Sequence, residues 1–224
     1  MSVELILSAE CYLWDFDGCF ADTEKLHFLA YREAFANVGH TLSESEYYPS
    51  FTHLGDGTGR EIAQHRLPVT EEEIIRNKSE AYARLIRQGH VLCFAETLPI
   101  IRHMRSRGAK VAIASNSSQE EIRVVLASAG FPTAELDLIV GKQPNLRKKP
   151  APDIFLHALA QLGCAPGRAL VLEDSNRGLQ AAAAAGCAAV WMRTRYNDGL
   201  ETAQPHVQSL THAQLLEAFE AVGQ

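Results

Sequence analysis

CYLWDFDGCFAD, from Cys11 to Asp22, joins a bulky apolar run to an acidic turn. Cys11–Trp14 is short and apolar throughout, the pattern of a strand buried on both faces. Asp15 and Asp17 leave its C-terminal end two residues apart, so their side chains start out on the same side of the chain. Gly18 lets the backbone turn closely around whatever they hold. Carboxylates this close raise each other's pKa unless a cation or a proton intervenes. A divalent-cation site with chemistry beside it is the economical reading, and an acidic turn after a strand is the plain one.

The 224 residues, 46% of them hydrophobic, suffice for one sizeable core with a small insert. A net charge of −6 argues against nucleic acid as the main partner, because binding a phosphate backbone requires a basic face. The five cysteines form no CxxC pair and are odd in number, which predicts reduced thiols in a cytoplasmic protein and no structural zinc. MSVELILSAE lacks a basic leader, and no apolar run approaches the roughly 18 residues that span a bilayer. Neither export nor a membrane partner is expected.

Beyond the acidic turn, Leu26, Leu29, Ala30, Ala34 and Val38 recur at helical spacing, which predicts a helix from Asp22 to Val38, capped by Asp22 or Thr23 and closed by Gly39. Further helical patterns run over Ser43–Tyr48, Arg60–Arg66 and Thr70–Arg87, and no strand pattern appears before Gln88. From about Val91 the pattern alternates. Helices are expected at Leu98–Arg107, Ser118–Ala129, Pro152–Leu162 and Ser175–Ala185. Strands are expected at Lys110–Ala114, Leu138–Val140, Ala169–Leu172 and Ala188–Met192. Such alternation predicts an α/β, three-layer parallel core with its site at the strands' C-terminal ends. The tail is expected to add an edge strand near His206–Gln208 and a final helix.

Three other strand ends carry reactive groups. Ser115 and Asn116 end VAIAS, where a hydroxyl and free N–H groups entering a helix can cradle an anion or merely cap the helix. Lys149 opens KPAPDIF, in which Pro150 and Pro152 stiffen the approach to a helix; an exposed lysine before a loop proline would otherwise be routine. Glu173 and Asp174 follow ALVL as a second acidic pair, which alone would read equally as a helix cap. Together, each behind its own apolar strand, the four signals argue against coincidence.

Asp15, Asp17, Gly18 and Asp22 also fit the pattern DxDGxxxD, and the chain resembles the haloacid dehalogenase superfamily of phosphotransferases. It is most similar to the subgroup of β-phosphoglucomutase and the small sugar-phosphate phosphatases, through Asp22, Thr23, Glu24 and His27 and through EDSxxGxxAAxxAG at Glu173–Gly186. Lys148 stands where that subgroup carries glycine, and Ala95 and Glu96 where it carries Pro-Gly. The resemblance implies a Rossmann-like core, residues 1–21 and 92–224, with a helical cap, residues 22–91, inserted after the first strand. It implies Asp15 as a nucleophile forming an aspartyl-phosphate and Asp17 as general acid and base. It also implies Mg²⁺ held by Asp15, Asp174, the carbonyl of Asp17 and, directly or through water, Glu173. Gly18, Ser115, Asn116 and Lys149 are the implied phosphate ligands.

A cap over the site favours a small phosphorylated metabolite, such as a sugar or polyol phosphate, as substrate and partner of a monomer or weak dimer. Its expected specificity loop is Phe51–Glu61, made mobile by Gly55, Gly57 and Gly59, with His27, His53, Gly55 and Arg60 as the candidate substrate contacts. The mutases of the subgroup carry an arginine close behind the matching glycine, whereas Gly55 is followed by Asp56, Gly57 and Thr58. Water as acceptor, hence a phosphatase, is therefore favoured over a mutase. A receiver-like phospho-acceptor needs neither the DxD pair nor the helical insert, and a dehalogenase lacks the second aspartate. Cys187 and Arg193 match a cysteine-phosphatase spacing, but a buried strand separates them.

Overall fold

The computed structural model describes residues 6–54, 57–89, 91–202, 204 and 207–221. Six parallel strands form one sheet: β1 (Cys11–Trp14), β2 (Lys110–Ala114), β3 (Leu138–Val140), β4 (Ala169–Glu173), β5 (Ala188–Arg193) and β6 (Gln208–Thr211). Their order is β3-β2-β1-β4-β5-β6, all neighbours parallel. The α/β fold expected from the alternating pattern is the one observed. The chain leaves β1 towards β2 and β3, then returns to place β4 on its other side. A crevice opens where the direction of winding reverses, at the strands' C-terminal ends.

Side-chain alternation buries both faces of this sheet. Tyr12, Trp14, Val111, Ile113, Leu170 and Leu172 pack on one side, against α5 (Thr97–Ser106), α6 (Gln119–Ser128) and α9 (His212–Glu220). Cys11, Leu13, Ala112, Ala114 and Val171 pack on the other, against α7 (Asp153–Leu162) and α8 (Asn176–Ala184). The alanine run of α8 brings that helix close to the sheet. Each large apolar side chain so buried contributes about 1.5–3 kcal/mol.

Between β1 and α5 the chain is helical: α1 (Glu24–Ala36), α2 (Glu44–Tyr47), a π-helical turn (Tyr48–Leu54), α3 (Gly57–His65) and α4 (Glu71–Arg87). Phe28, Ala34, Phe35, Leu42, Tyr47 and Ile74 give this layer a core of its own. Its entry and exit run side by side, since Ala21 bridges Cys93 and the Asp22 N–H donates to the Leu92 carbonyl at 2.9 Å.

Several local expectations need correction. Thr23 precedes α1 but makes no side-chain cap, because its hydroxyl donates to Asp17 at 2.7 Å. The described parts of Phe51–Glu61 are not a glycine-loosened loop: residues 51–54 end the π-helical turn and residues 57–61 belong to α3. Gly57 opens α3, and a Cβ there would stand 2.2 Å from the Phe51 ring, so this glycine serves packing. β4 runs on to include Glu173. The edge strand begins at Gln208, and His206 lies outside the described residues.

Buried His212, at the start of α9, ties the sheet to the acidic turn: its ring Nε2–H donates to the Cys19 carbonyl at 2.7 Å, and the ring stacks on Phe94. Burial holds this imidazole's pKa below its ordinary value, with the Cys19 carbonyl and Glu96 opposing. The unfolded chain therefore takes up a proton that the folded chain refuses, so stability is full above about pH 6.5 and falls as the pH drops below it. Urea unfolding at pH 7.5 and 5.5 should show this loss, at most about 1.4 kcal/mol per pH unit from this group. The difference between wild type and His212→Gln should narrow at the lower pH; a constant difference would exclude His212 as its source.

Candidate active site

The four strand-end signals meet. Asp15 extends β1, its N–H held by the Leu172 carbonyl at 2.9 Å, while Asp174 follows β4. The Asp174 carbonyl is fixed by Trp191 Nε1 at 3.1 Å and Asn197 Nδ2 at 3.0 Å. Lys149, only 2% exposed, donates to Asp15 Oδ1 at 2.5 Å and to Glu173 Oε1 at 2.7 Å. Its backbone is pinned from both sides: the N–H donates to Asn116 Oδ1 at 3.0 Å, and the carbonyl accepts from Arg177 Nη2 at 2.6 Å. Glu173 Oε2 accepts from the Ser175 N–H and hydroxyl, and Gly178 makes room for it, since a Cβ there would stand 1.7 Å from that carboxylate.

One ligand oxygen each from Asp15, Glu173 and Asp174 lies within 4.8 Å of the others. One ammonium contacts two of these three acids, Asp15 and Glu173. Burial pushes the Asp15 carboxyl up to about 8, with Lys149 opposing and Glu173 adding to the rise. Burial, with Glu173 and Asp15 beside it, holds Asp174 well above the carboxylate range. Asp174 Oδ2 is buried without a hydrogen-bond partner, and a Cβ on Gly18 would stand 2.4 Å from it. An orphaned carboxylate oxygen in an all-oxygen, acid-rich pocket fits a hard divalent cation.

Asp17 is set apart from this cluster. Its Oδ1 accepts from Thr23 at 2.7 Å and lies 3.0 Å from His27 Nε2; its Oδ2 accepts from the Ser117 hydroxyl at 2.5 Å. Burial favours the neutral acid, but His27 and the donated hydrogen bonds outweigh it and hold the carboxyl well below the usual range.

A cavity of about 340 Å³ opens above these groups. Its floor is the strand ends. Its wall comes from the helical layer and includes His27, Tyr31, Phe51 and Lys78. Ser115, 2% exposed, and Asn116 line it as expected. Gly18 binds no anion through its N–H, which donates to the Ala21 carbonyl at 2.9 Å; its φ of 75° and its closeness to Asp174 are what require glycine. His27 stacks on Tyr82 at 4.1 Å and holds Asp17. Arg60 is exposed on α3 and does not line the cavity. The His53 side chain and Gly55 lie outside the described residues. Asp22 points away, accepting from Arg195 and Tyr196.

Sequence reasoning missed Ser117 and Lys78. Ser117 is masked by Ser118, which caps α6 while its neighbour turns to Asp17. Lys78 sits in a charged helix, and only the fold shows its ammonium over the Tyr82 ring at 4.6 Å.

The profile of the haloacid dehalogenase-like hydrolases matches residues 12–192. Protein CbbY of Cereibacter sphaeroides is 31% identical over 96% of this chain and 94% of that protein. Fructose-1-phosphate phosphatase YqaB of Escherichia coli K12 is 30% identical over 81% of this chain and 95% of that one. The crystal structure of a CbbY mutant from Rhodobacter sphaeroides in complex with xylulose-(1,5)bisphosphate matches at a TM-score of 0.75 and 28% identity, covering 93% of this chain and 96% of that chain. Two acids at the end of β1, a lysine shared between strands and an acidic pair closing β4 thus stand in a chain that belongs to the haloacid dehalogenase-like hydrolase family.

Proposed function

We propose that the chain is a Mg²⁺-dependent phosphatase of small phosphorylated sugars or polyols, working through an aspartyl-phosphate on Asp15. The observation that carries this reading is the cluster of Asp15, Lys149, Glu173 and the unpartnered Asp174 Oδ2 beneath a small cavity. YqaB and CbbY, with their phosphorylated-sugar names and ligand, support the substrate class.

Asp15 Oδ1 is held by Lys149, which leaves Oδ2 to attack phosphorus in line. Lys149, Ser115 and the N–H groups following β2 stabilise the negative charge on the equatorial oxygens. Asp17 delivers a proton to the leaving oxygen and then takes one from water. Its donors Thr23, His27 and Ser117 favour the ionised form, so the proton it delivers is weakly held. Asp15, Asp174, the Asp17 carbonyl and, through water, Glu173 would hold Mg²⁺, which when bound neutralises phosphate charge. The helical layer, residues 22–91, acts as a cap that closes over the cavity and excludes bulk water.

Assay against a panel of phosphorylated metabolites should give free phosphate with Mg²⁺ and none above background in excess chelator. Undiminished release in chelator would end the reading. A mutase would instead form an isomer, stimulated by a bisphosphate; Arg60 lying outside the cavity favours water as acceptor.

A further inference from the structure

Away from the catalytic cavity, the helical layer holds a second cluster of metal-ligating groups. Glu61 and His65 lie one turn apart on α3 and so share a face of the helix. His40 comes to them from the turn that ends α1. Its N–H donates to the Phe35 carbonyl at 3.1 Å, Gly39 before it takes a φ of 76°, and its ring stands edge-on to Phe35 at 5.5 Å. The imidazole is therefore fixed by backbone and packing together.

Glu61 is 4% exposed, although it is charged and belongs to a helix whose other charged residue, Arg60, is exposed. Its Oε1 lies 2.6 Å from His40 Nε2 and 3.4 Å from His65 Nε2, and the two rings are 4.4 Å apart. All three ligand atoms fall within 4.8 Å of one another. Adjacent ligands around tetrahedral zinc, each about 2.0–2.2 Å from the ion, stand roughly 3.4 Å apart. The His65–Glu61 pair already stands at such an edge, and the 2.6 Å contact between His40 and Glu61 would open by about 0.8 Å to reach one. Glu46 adds negative charge nearby, close enough for both imidazoles to act on its carboxylate.

We propose that His40, Glu61 and His65 form a binding site for a transition-metal ion of the zinc class, with a fourth position open to water. Two imidazoles and one carboxylate select Zn²⁺, Co²⁺ or Ni²⁺ over Mg²⁺, which prefers the oxygen-only cluster at Asp15, Glu173 and Asp174. His40 Nε2 becomes a ligand once its hydrogen moves to Nδ1. None of the three residues lines the catalytic cavity. The ion would clamp the end of α1 to α3, whose first residue, Gly57, packs on the cavity-lining Phe51. It would therefore stiffen the cavity wall without touching substrate.

The test is a Zn²⁺ titration of the untagged chain in saturating Mg²⁺, followed by imidazole NMR of the nine histidines and by thermal unfolding. One equivalent of Zn²⁺ should move the His40 and His65 resonances, leave His27 and His212 in place, and raise Tm by several degrees. His40→Ala and His65→Ala should each weaken Zn²⁺ binding by about tenfold or more and abolish the rise in Tm. His65→Gln covers the case of an alanine variant that does not fold. The site would be excluded by Zn²⁺ shifting His27 alone, by variants that bind as wild type does, or by no binding at low micromolar Zn²⁺.

Discussion

Asp15→Asn should leave a folded protein whose kcat for sugar-phosphate hydrolysis is lower by about four orders of magnitude or more. An amide cannot attack phosphorus, and no other carboxylate stands in for it. Glu173 is engaged by Lys149 and Ser175, while Asp17 is held by Thr23, His27 and Ser117. Asp174 stands against Gly18, and on the proposed mechanism it holds the cation. Stability should move the other way. Burial and the Glu173 carboxylate already push the Asp15 carboxyl up to about 8, so an amide removes a charge that the pocket disfavours, while Lys149 keeps its contact with Glu173. In chelator the variant should unfold at the wild-type temperature or above it. Activity within tenfold of wild type would show that the nucleophile lies elsewhere. A markedly lower Tm would show that the Asp15–Lys149 contact outweighs the repulsion.

What the sequence could reveal of this site followed from how its residues are placed. Asp15, Ser115 and Asp174 each end an apolar run of four or five residues, and a strand end is a position that sequence pattern locates well. Parallel pairing then brings the ends together, because β1 sits between β2 and β4 in register. Contacts with the helical layer were less legible. Thr23 reads as a cap and Ser117 is hidden beside the capping Ser118, yet each gives its hydroxyl to Asp17, across 6 and 100 residues. Glycine is ambiguous for a related reason: Gly18, Gly57 and Gly178 look alike in sequence. Each is set by a different neighbour, respectively Asp174, the Phe51 ring and the Glu173 carboxylate. The π-helical turn at Tyr48–Leu54 carries Pro49 and no helical repeat, so nothing in its composition announces it.

Lys149→Met should be the most destabilising single change at the site, because it removes the cation in contact with Asp15 and Glu173 while keeping the charges it offsets. Asp15 and Glu173 would face each other in a buried pocket at the ends of adjacent strands. Breaking a buried ion pair from one side costs about 3–5 kcal/mol, which for a chain of this size lowers Tm by roughly 6–20 °C. Unfolding in chelator measures this directly. Saturating Mg²⁺ should narrow the deficit, since a divalent ion among Asp15, Glu173 and Asp174 restores the missing positive charge. Lys149→Met/Glu173→Gln should also recover much of the lost stability, by removing the unpaired charge rather than replacing its partner. Neither variant should regain turnover, because Lys149, which lines the cavity, also binds the phosphate in the proposed mechanism. Wild-type stability in the single variant would mean that the acids are held apart by other forces. Activity in the double variant would relieve Lys149 of its part in binding phosphate.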